Sequence, residues 1–417
     1  MLSYKNNNKT DCVNFLQPHR QRYALYDYKG HSASTARHSI HNYPAMLHYL
    51  MVRDLIVKYT NDDSLIYDPF CGSGVSIVES LYQGRKVFGT DINPLGLLIA
   101  DVRSSDYNER DLIEIFSEFK GEFKNLNPDI PTIKNVDFWF KDNVVIDLGK
   151  IRRFIASIYD IKIKEFFLCA FSDTVRKVSN NKNNEFKRYR MRDITKHNPN
   201  VLKTFEDVFE KYLKAIVENP INNLRYKLFL HDVRKPLPFN EKVDLVITSP
   251  PYGDSKTTVA YGQFSSFSLE WIKGINPFGD ADLSLDRLCL GGDKIKEEME
   301  LPSKLLYETL NEIKNPDRVK EVYRFFYDLF LSCRQISFKL NKKANVCFVV
   351  GNRKVAGIDI PMDIITADFF EYLGLSLKEI LVREISNKRM PSINSPTNIS
   401  GVTSSTMKNE FIVILEK

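Results

Sequence analysis

An apolar segment in the first quarter of the chain ends in a glycine-rich turn, Leu65-Ile66-Tyr67-Asp68-Pro69-Phe70-Cys71-Gly72-Ser73-Gly74. Apolar residues then recur at helical spacing through residues 75–81. Gly72 and Gly74 permit positive φ angles and let a ligand approach the backbone closely. The helix that follows would point free N–H groups at that ligand. The segment therefore predicts a strand, a tight turn and a helix around a bound nucleoside or nucleotide.

A carboxylate closes the second predicted strand, Lys86-Val87-Phe88-Gly89-Thr90-Asp91. An acidic residue about 20 positions after such a turn can accept both hydroxyls of a ribose. Asp91 is close to that spacing from Gly74, so we predict that it binds ribose. A lone Gly-x-Gly pattern is weak evidence, and here the strand, turn and helix around it supply the context that strengthens it.

A second motif, Thr248-Ser249-Pro250-Pro251-Tyr252-Gly253, follows the apolar run at residues 243–247. The two prolines fix φ and remove backbone donors. The preceding carbonyls and the Ser249 hydroxyl therefore remain free acceptors at the end of a strand, beside the aromatic face of Tyr252. A planar base with an exocyclic amino group suits such a site, because the amino group can donate while the ring stacks. A rigid turn without chemistry is the alternative.

Together the two motifs resemble those of the DNA amino-methyltransferases, which use S-adenosylmethionine to methylate an exocyclic nitrogen of cytosine or adenine. Serine before Pro-Pro-Tyr is typical of the cytosine-N4 enzymes of restriction–modification systems, whereas Asp or Asn is typical of the adenine-N6 enzymes. The family's N-terminal motif, which packs against the methionine end of the cofactor, resembles His41-Asn42-Tyr43-Pro44-Ala45-Met46. The resemblance covers the nucleotide-binding half well and the inserted segments poorly.

The resemblance also implies roles for individual residues. Asp68 would meet the cofactor's ammonium group and Asp232 its adenine amino group, although Asp68 could also cap a helix and Asp232 could equally be a turn residue. The implied cofactor-binding set is Tyr43, Pro44, Asp68, Phe70, Cys71, Gly72, Ser73, Gly74, Asp91, Ile92 and Asp232. A flipped-out base would be held by the implied catalytic set, which is Ser249, Pro250, Pro251 and Tyr252.

Strands and helices alternate along most of the chain. A helix is predicted from Tyr43 to Tyr59, residues 1–30 and 253–300 look irregular, and residues 105–225 are charged with helical periodicity. The seven predicted strands lie at 65–68, 86–91, 226–230, 243–248, 345–351, 376–385 and 410–416. This order predicts an α/β, doubly wound, mostly parallel seven-stranded sheet with an edge hairpin. The resemblance implies the Rossmann-like class I methyltransferase fold.

Three regions follow from this order of elements. Residues 1–104 would form the N-terminal segment and the cofactor-binding part of the catalytic domain. Residues 105–225 would be an inserted helical and basic region, and residues 226–417 the catalytic part, with a substrate loop at 253–300. Both insertions are candidates for target recognition.

The strongest nucleic-acid signal is the basic segment at residues 176–192, in which Phe186, Tyr189 and several asparagines stand between Lys and Arg. Basic groups neutralise phosphates, and Asn and Arg can read base edges. A solvated loop is the alternative. The predicted contacts with double-stranded DNA are Arg176, Lys177, Lys182, Lys187, Arg188, Arg190, Arg192, Lys256, Lys388 and Arg389.

Composition narrows the class of protein. The net charge of +6 is compatible with a polyanionic partner. No apolar run approaches the roughly 20 residues of a membrane span, and the N-terminus has no apolar signal core, so we expect a cytoplasmic protein with no membrane partner. The six cysteines occur singly and the seven histidines form no ligand-spaced cluster, so no metal is expected. No cysteine follows a proline, which disfavours cytosine-C5 methylation.

The motifs, read with the resemblance, therefore predict a site-specific DNA cytosine-N4 methyltransferase. The resemblance alone implies that it protects DNA in a restriction–modification system, with a cognate restriction endonuclease encoded nearby. An adenine-N6 enzyme shares the chemistry and stays open. An RNA guanine-N2 enzyme usually carries a large N-terminal RNA-binding domain, for which residues 1–64 leave little room. A protein-glutamine methyltransferase usually has Asn where this chain has Ser249. A non-catalytic DNA-binding subunit is the alternative outside the enzymes.

Overall fold

The computed structural model describes residues 19–182, 186–222, 225–254, 258–280, 284–293, 295, 299–385, 393–394, 404–405 and 407–417. In chain order the strands are β1 (Arg20–Arg22), β2 (Leu65–Asp68), β3 (Lys86–Asp91), β4 (Tyr226–Leu230), β5 (Val243–Thr248), β6 (Leu340–Val350), β7 (Arg353–Val355), β8 (Ile358–Ile360), β9 (Ser376–Glu384), β10 (Ile393–Asn394), β11 (Ser404–Ser405) and β12 (Asn409–Glu416).

The helices fall before, between and after these strands. They are α1 (Tyr49–Tyr59), α2 (Val75–Tyr82), α3 (Pro94–Ser104), α4 (Glu109–Glu122), α5 (Val136–Trp139), α6 (Asp142–Ser157), α7 (Ile161–Val178), α8 (Val201–Val217), α9 (Tyr261–Trp271), α10 (Leu285–Leu288), α11 (Lys304–Glu312), α12 (Pro316–Ser337) and α13 (Met362–Tyr372). Two 3-10 turns, Ala24–Asp27 and Ala36–Ser39, precede α1. Within the described part of the chain, no helix is both long enough and apolar enough to span a membrane.

The main sheet has eight strands in the order β1-β9-β12-β6-β5-β2-β3-β4. Strand β12 pairs antiparallel with β6 and β9, and the other pairs in this sheet are parallel. Each of the seven predicted strands is present, and the doubly wound, mostly parallel sheet of the class I methyltransferase fold is confirmed. Hairpins β7–β8 and β10–β11 lie outside this sheet.

The eighth strand, β1, corrects the expectation that residues 1–30 are irregular. It pairs with β9 through Arg20 and Ile380. The Arg20 Nε also donates to the buried Asp363 carboxylate at 2.6 Å. A three-residue polar strand has no alternating apolar pattern, so pairing and this ion pair hold it at the sheet edge.

Successive residues of the central strands point to opposite faces of the sheet and therefore pack into different hydrophobic cores. In β12, Phe411 and Val413 pack with α11 to α13, whereas Ile412 and Ile414 pack on the face that α1 and α2 cover. A third core, rich in phenylalanine, lies among α4, α6, α7 and α8. Residues 105–225 thus contribute a helical cluster with its own apolar centre, and its assignment as a DNA-recognition region stays a prediction.

Two helix expectations were wrong in their extent. Helix α1 begins at Tyr49 rather than Tyr43, because Pro44 and Ala45 form a turn in which Ala45 has a left-handed φ of 55°. The segment 253–300, expected to be irregular, contains the eleven-residue helix α9. Eight of those residues are buried, so tertiary packing stabilises a helix whose apolar face is poorly defined in the sequence.

Candidate active site

A cleft opens where β2, β3, β4 and β5 end, at the edge at which parallel sheets bind ligands. Its open space is about 920 Å³, including the part that faces solvent. The cleft brings together all the predicted catalytic and cofactor residues except Gly74, Pro250 and Tyr252. Those that line it are Tyr43, Pro44, Asp68, Phe70, Cys71, Gly72, Ser73, Asp91, Ile92, Asp232, Ser249 and Pro251.

The glycine turn has the backbone geometry that its sequence predicts. Gly72 and Gly74 have φ of 49° and 80°, in the left-handed region that favours glycine. A Cβ on Gly74 would lie 2.7 Å from the Cβ of Ala100 in α3, so Gly74 supports the turn from behind instead of lining the cleft. Gly72 faces the cleft, where its Cβ would touch the Tyr43 ring at 3.3 Å.

Asp91 holds the turn as well as facing the cleft. Its Oδ2 accepts from the Gly72 N–H at 2.8 Å, and its Oδ1 accepts from the Asn93 N–H at 2.8 Å. Burial raises the pKa of the Asp91 carboxyl, against the lowering effect of these donors. Each oxygen keeps a further lone pair, which suits the predicted contact with ribose hydroxyls.

Asp68 connects the glycine turn with the strand that leads to Ser249. Its Oδ1 accepts from the Thr248 hydroxyl at 2.6 Å and from the Phe70 N–H at 3.0 Å, while Oδ2 accepts from the Ser76 hydroxyl. Burial raises the pKa of Asp68 to about 6, even though these donors favour the ionised form. A buried carboxylate of this kind gains from a nearby cation such as the cofactor's ammonium group.

Asp232 is engaged by an arginine that the sequence analysis did not single out. Arg234 donates to Asp232 from Nε and Nη2, each at 2.9 Å, and from Nη1 to Asp328 at 2.8 Å. Although burial opposes ionisation, these contacts hold the pKa of Asp232 below its ordinary value. Arg234 also donates to the Leu288 carbonyl at 2.9 Å, which ties a wall of the cleft to Asp232.

Asn93 and Arg103 complete the site, and the sequence analysis missed both. Asn93 donates from Nδ2 to the Tyr43 hydroxyl at 3.0 Å and to the Ser265 hydroxyl at 2.8 Å. Its position just before Pro94 is a helix-capping signal that could have identified it. Arg103 is fully buried and donates to the carbonyls of Ile40, His41 and Ser73, and these bonds fix the segment before α1 against the glycine turn. No local pattern marks Arg103.

The serine motif carries a hydrogen-bond chain away from the cleft. Ser249 Oγ lies 3.0 Å from the Tyr252 hydroxyl, which lies 3.1 Å from Glu410 Oε1. A Cβ on Gly351 would come within 2.6 Å of Tyr252 Cδ2, so the ring rests directly on the backbone after β6. Burial raises the pKa of Tyr252 well above its ordinary value. The predicted stacking of Tyr252 on a base stays a prediction.

The basic segment packs beside α9, whose first residue, Tyr261, lines the cleft. The Arg176 guanidinium lies 4.1 Å from the Phe264 ring centre, and that of Arg188 lies 4.5 Å from the Phe267 ring centre. Lys177 donates to Asp173 at 2.8 Å. Burial lowers the pKa of Arg176 to about 10. Three of the predicted DNA contacts are therefore partly used within the protein.

The remaining predicted DNA contacts divide into two groups. Arg190 lies over the Phe138 ring at 4.4 Å, Lys187 is half-buried, and Lys182 and Arg192 are exposed. Lys256, Lys388 and Arg389 lie outside the described residues. All ten stay predictions.

The cleft fits S-adenosylmethionine in shape and charge. The glycine turn leaves room beside Tyr43 that a side chain at position 72 would fill. Asp68, Asp91 and Asp232 line the cleft as three separate carboxylates, which are predicted to meet an ammonium group, a ribose and an adenine amino group. Phe70, Ile92 and Leu290 supply apolar walls. The cofactor, when bound, supplies an electrophilic methyl group on a sulfonium centre.

Comparisons with known proteins also indicate a DNA methylase. A family model for DNA methylases of the N6/N4 group matches residues 3–100. The chain is 35% identical over 422 aligned residues to the Type II methyltransferase M.MvaI of Kocuria varians, covering 91% of this chain and 90% of that protein. It is 22% identical to the Type II methyltransferase M.AvaI of Anabaena variabilis, covering 80% of this chain and 77% of that protein.

Among solved structures, TrmN from Thermus thermophilus superposes with a TM-score of 0.33 and 9% identity, covering 90% of this chain and 50% of that one. Three findings agree with one another: the identity with M.MvaI across nearly the full length of both chains, the matching family model, and the residues of the cleft. The chain therefore belongs to the Type II DNA methyltransferases, S-adenosylmethionine-dependent enzymes of the amino-methylating N6/N4 family.

Proposed function

We propose that this DNA methyltransferase transfers the methyl group to the exocyclic N4 amino group of cytosine. The observation that carries the proposal is the position of Ser249, which lines the same cleft as Asp68 and Asp91. Thr248, the residue before it, donates to Asp68 at 2.6 Å, so the amino-accepting motif and the cofactor turn are joined directly. Serine is the residue typical of cytosine-N4 enzymes at this position.

The chemistry requires little beyond placement. The lone pair of an exocyclic amino nitrogen is delocalised into the base, which makes the nitrogen a poor nucleophile. Hydrogen bonds from the amino group to the Ser249 hydroxyl and the Pro250 carbonyl would localise that lone pair on a tetrahedral nitrogen. Placement in line with the methyl group and electrostatic stabilisation then provide most of the catalysis. No covalent enzyme intermediate is required.

The target base must leave the duplex to reach this cleft, at a cost of a few kcal/mol. Stacking on Tyr252 would offset about 1–3 kcal/mol of that cost. We further propose that the helical insertion at 105–225 and the segment 253–300 recognise the DNA sequence, and that the basic segment binds its phosphates. A cognate restriction endonuclease encoded nearby is part of the same proposal.

Expression in a bacterial host that lacks DNA methylation tests the proposal. Genomic DNA is digested to nucleosides and quantified by mass spectrometry, and the modified positions are mapped by sequencing. We expect N4-methylcytosine at a short, specific sequence. A host that expresses an Asp68→Asn variant is the control, because that variant loses the predicted ammonium contact. N6-methyladenine at specific sites would contradict the cytosine assignment.

A further inference from the structure

A chain of three polar groups leads from the serine motif to the last strand of the sheet. Ser249 Oγ lies 3.0 Å from Tyr252 Oη, and Tyr252 Oη lies 3.1 Å from Glu410 Oε1. An ionised carboxylate accepts hydrogen bonds and cannot donate. The single proton of Tyr252 therefore points to Glu410, and the tyrosine oxygen must accept the proton of Ser249. The direction of both hydrogen bonds follows from the charge on Glu410.

The fold explains how Glu410 reaches this position. Strand β12 runs antiparallel to β6, so its beginning lies at the sheet edge where the parallel strands end. Glu410 is the second residue of β12, and its side chain is 17% exposed. Arg383 of β9 lies directly across the strand pair, with its Nε 3.6 Å from Glu410 Oε2. Arg383 therefore places a positive charge beside this carboxylate.

We propose that Glu410 is a positioning residue for the methyl transfer, acting through Tyr252 on Ser249; this rests on the proposed role of Ser249. With its own proton directed at Tyr252, the Ser249 oxygen turns its lone pairs toward the cleft. It can then only accept a hydrogen bond from the amino group of the base. A serine without this partner could point its proton at the amino nitrogen and compete for the lone pair that must attack.

The same chain provides a path for the proton that methylation releases. When the N–C bond forms and the methyl group leaves sulfur, the amino nitrogen carries one proton too many and a positive charge. That proton moves to the Ser249 oxygen, the serine proton moves to Tyr252, and the tyrosine proton moves to the Glu410 carboxylate. The net change is one proton lost by the base and one gained by Glu410, whose partial exposure lets it pass the proton to water.

The test is a double-mutant cycle with Glu410→Gln and Tyr252→Phe. The second variant keeps the aromatic ring and loses only the hydroxyl. Single-turnover rate constants are measured with unmethylated, amplified bacterial genomic DNA and saturating labelled S-adenosylmethionine, together with the Kd of each variant for cofactor and DNA. Glu416→Gln is the matched control, because Glu416 lies on the same strand and pairs with Lys378 instead.

We expect each single variant to slow methyl transfer by about 100-fold, the lower end of what acid–base catalysis contributes. The double variant should be no slower than either single variant, since both interrupt one chain. Both Kd values should stay within about twofold of the wild type, and Glu416→Gln should transfer methyl at the wild-type rate.

Three results would overturn the proposal: an unchanged rate in Glu410→Gln, multiplied effects in the double variant, or a slower rate explained by weaker cofactor or DNA binding. Tyr252→Phe keeps the proposal testable if loss of the Glu410 charge beside Arg383 prevents folding. The nucleoside made by the wild type tests the base assignment separately. If that product is N6-methyladenine and the cycle is still non-additive, the cytosine assignment fails and the role of Glu410 stands.

Discussion

The backbone N–H of Gly72 donates to the Asp91 carboxylate at 2.8 Å, so the residue predicted to bind ribose also fixes the turn beside it. A second bond from the Asn93 N–H orients the same carboxylate. Gly72 has a left-handed backbone with φ of 49°, and Asp91 supplies the acceptor for its N–H. The predicted ribose contact of Asp91 would therefore couple cofactor binding to the conformation of the turn.

Replacing Asp91 should weaken cofactor binding without unfolding the chain. In Asp91→Asn, the amide offers one acceptor oxygen where the carboxylate offered two, and the charge is lost. We expect the Kd for S-adenosylmethionine, measured by isothermal titration calorimetry, to rise by about 10- to 100-fold, or about 1.4–2.8 kcal/mol. Asp244→Asn is the control, since Asp244 accepts from the Leu65 N–H at 2.9 Å at the opposite end of β2. Equal effects in both variants would refute the assignment.

The pKa of Asp68 predicts a pH dependence of cofactor binding. Burial raises this pKa from 3.8 to about 6, so the carboxyl is protonated below pH 6 in the free enzyme. Binding an ammonium group requires the ionised form. The Kd for S-adenosylmethionine should therefore rise about tenfold for each pH unit below 6 and level off above it. Titrations from pH 5 to 8 test this, and a Kd independent of pH would contradict it.

The raised pKa of Asp68 also makes the free energy of unfolding depend on pH. Asp68 binds its proton more tightly in the folded chain, so its contribution to the free energy of unfolding falls as the pH rises from about 4 to about 6. Asp68→Asn should remove both dependences. Asp91, whose pKa is also raised, is the other carboxyl to control, and Asp91→Asn should retain the pH dependence that belongs to Asp68.

Arg103 should be required for the stability of the site. Its buried guanidinium donates to the carbonyls of Ile40, His41 and Ser73, which Arg103→Met would leave without these donors. Each orphaned buried acceptor costs about 1–3 kcal/mol, so the free energy of unfolding should fall by roughly 3 kcal/mol or more. Urea denaturation measures this free energy of unfolding. Arg110→Met, on the exposed face of α4, is the control and should change it by about 0.5 kcal/mol at most.

The basic segment should contribute to DNA affinity through Arg192, which is exposed, and Lys187, which is half-buried. The logarithm of the DNA association constant falls linearly with the logarithm of the salt concentration. Arg192→Ala and Lys187→Ala should each make this slope less steep by about 0.9, the value for one phosphate contact. Lys304→Ala, whose side chain is 92% exposed on α11, is the matched control. Arg188→Ala should instead lower the melting temperature, because the guanidinium packs on Phe267. Slopes unchanged in Arg192→Ala and Lys187→Ala would remove this segment from the DNA interface.

Local sequence patterns predicted seven of the eight strands of the main sheet and most of the cleft. Asp68 and Ser249 end apolar runs, and the carboxyl ends of parallel strands meet at one edge of a sheet, so the two motifs had to lie close together. The two motifs meet at this edge however many residues separate them in the sequence. The same logic correctly placed Asp91 and Asp232 at the cleft.

Contacts that depend on tertiary placement could not be predicted. Arg103 acts from the buried side of α3, and Glu410 reaches Tyr252 only because β12 runs antiparallel to its neighbours. Strand β1 depends on the ion pair between Arg20 and Asp363, which are far apart in sequence. Nothing in the local sequence of these residues distinguishes them from surface charges.

We propose that Ser249 accepts a hydrogen bond from the amino group of a flipped cytosine during methyl transfer. The most direct test of this proposal is mass spectrometry of nucleosides from DNA incubated with the purified enzyme and isotopically labelled S-adenosylmethionine, with Ser249→Ala and an RNA substrate in parallel. We predict label in N4-methylcytosine of DNA, reduced by about 100-fold or more in Ser249→Ala at unchanged cofactor affinity. Three results would contradict this proposal: label in N6-methyladenine, label in RNA alone, or an undiminished signal in Ser249→Ala.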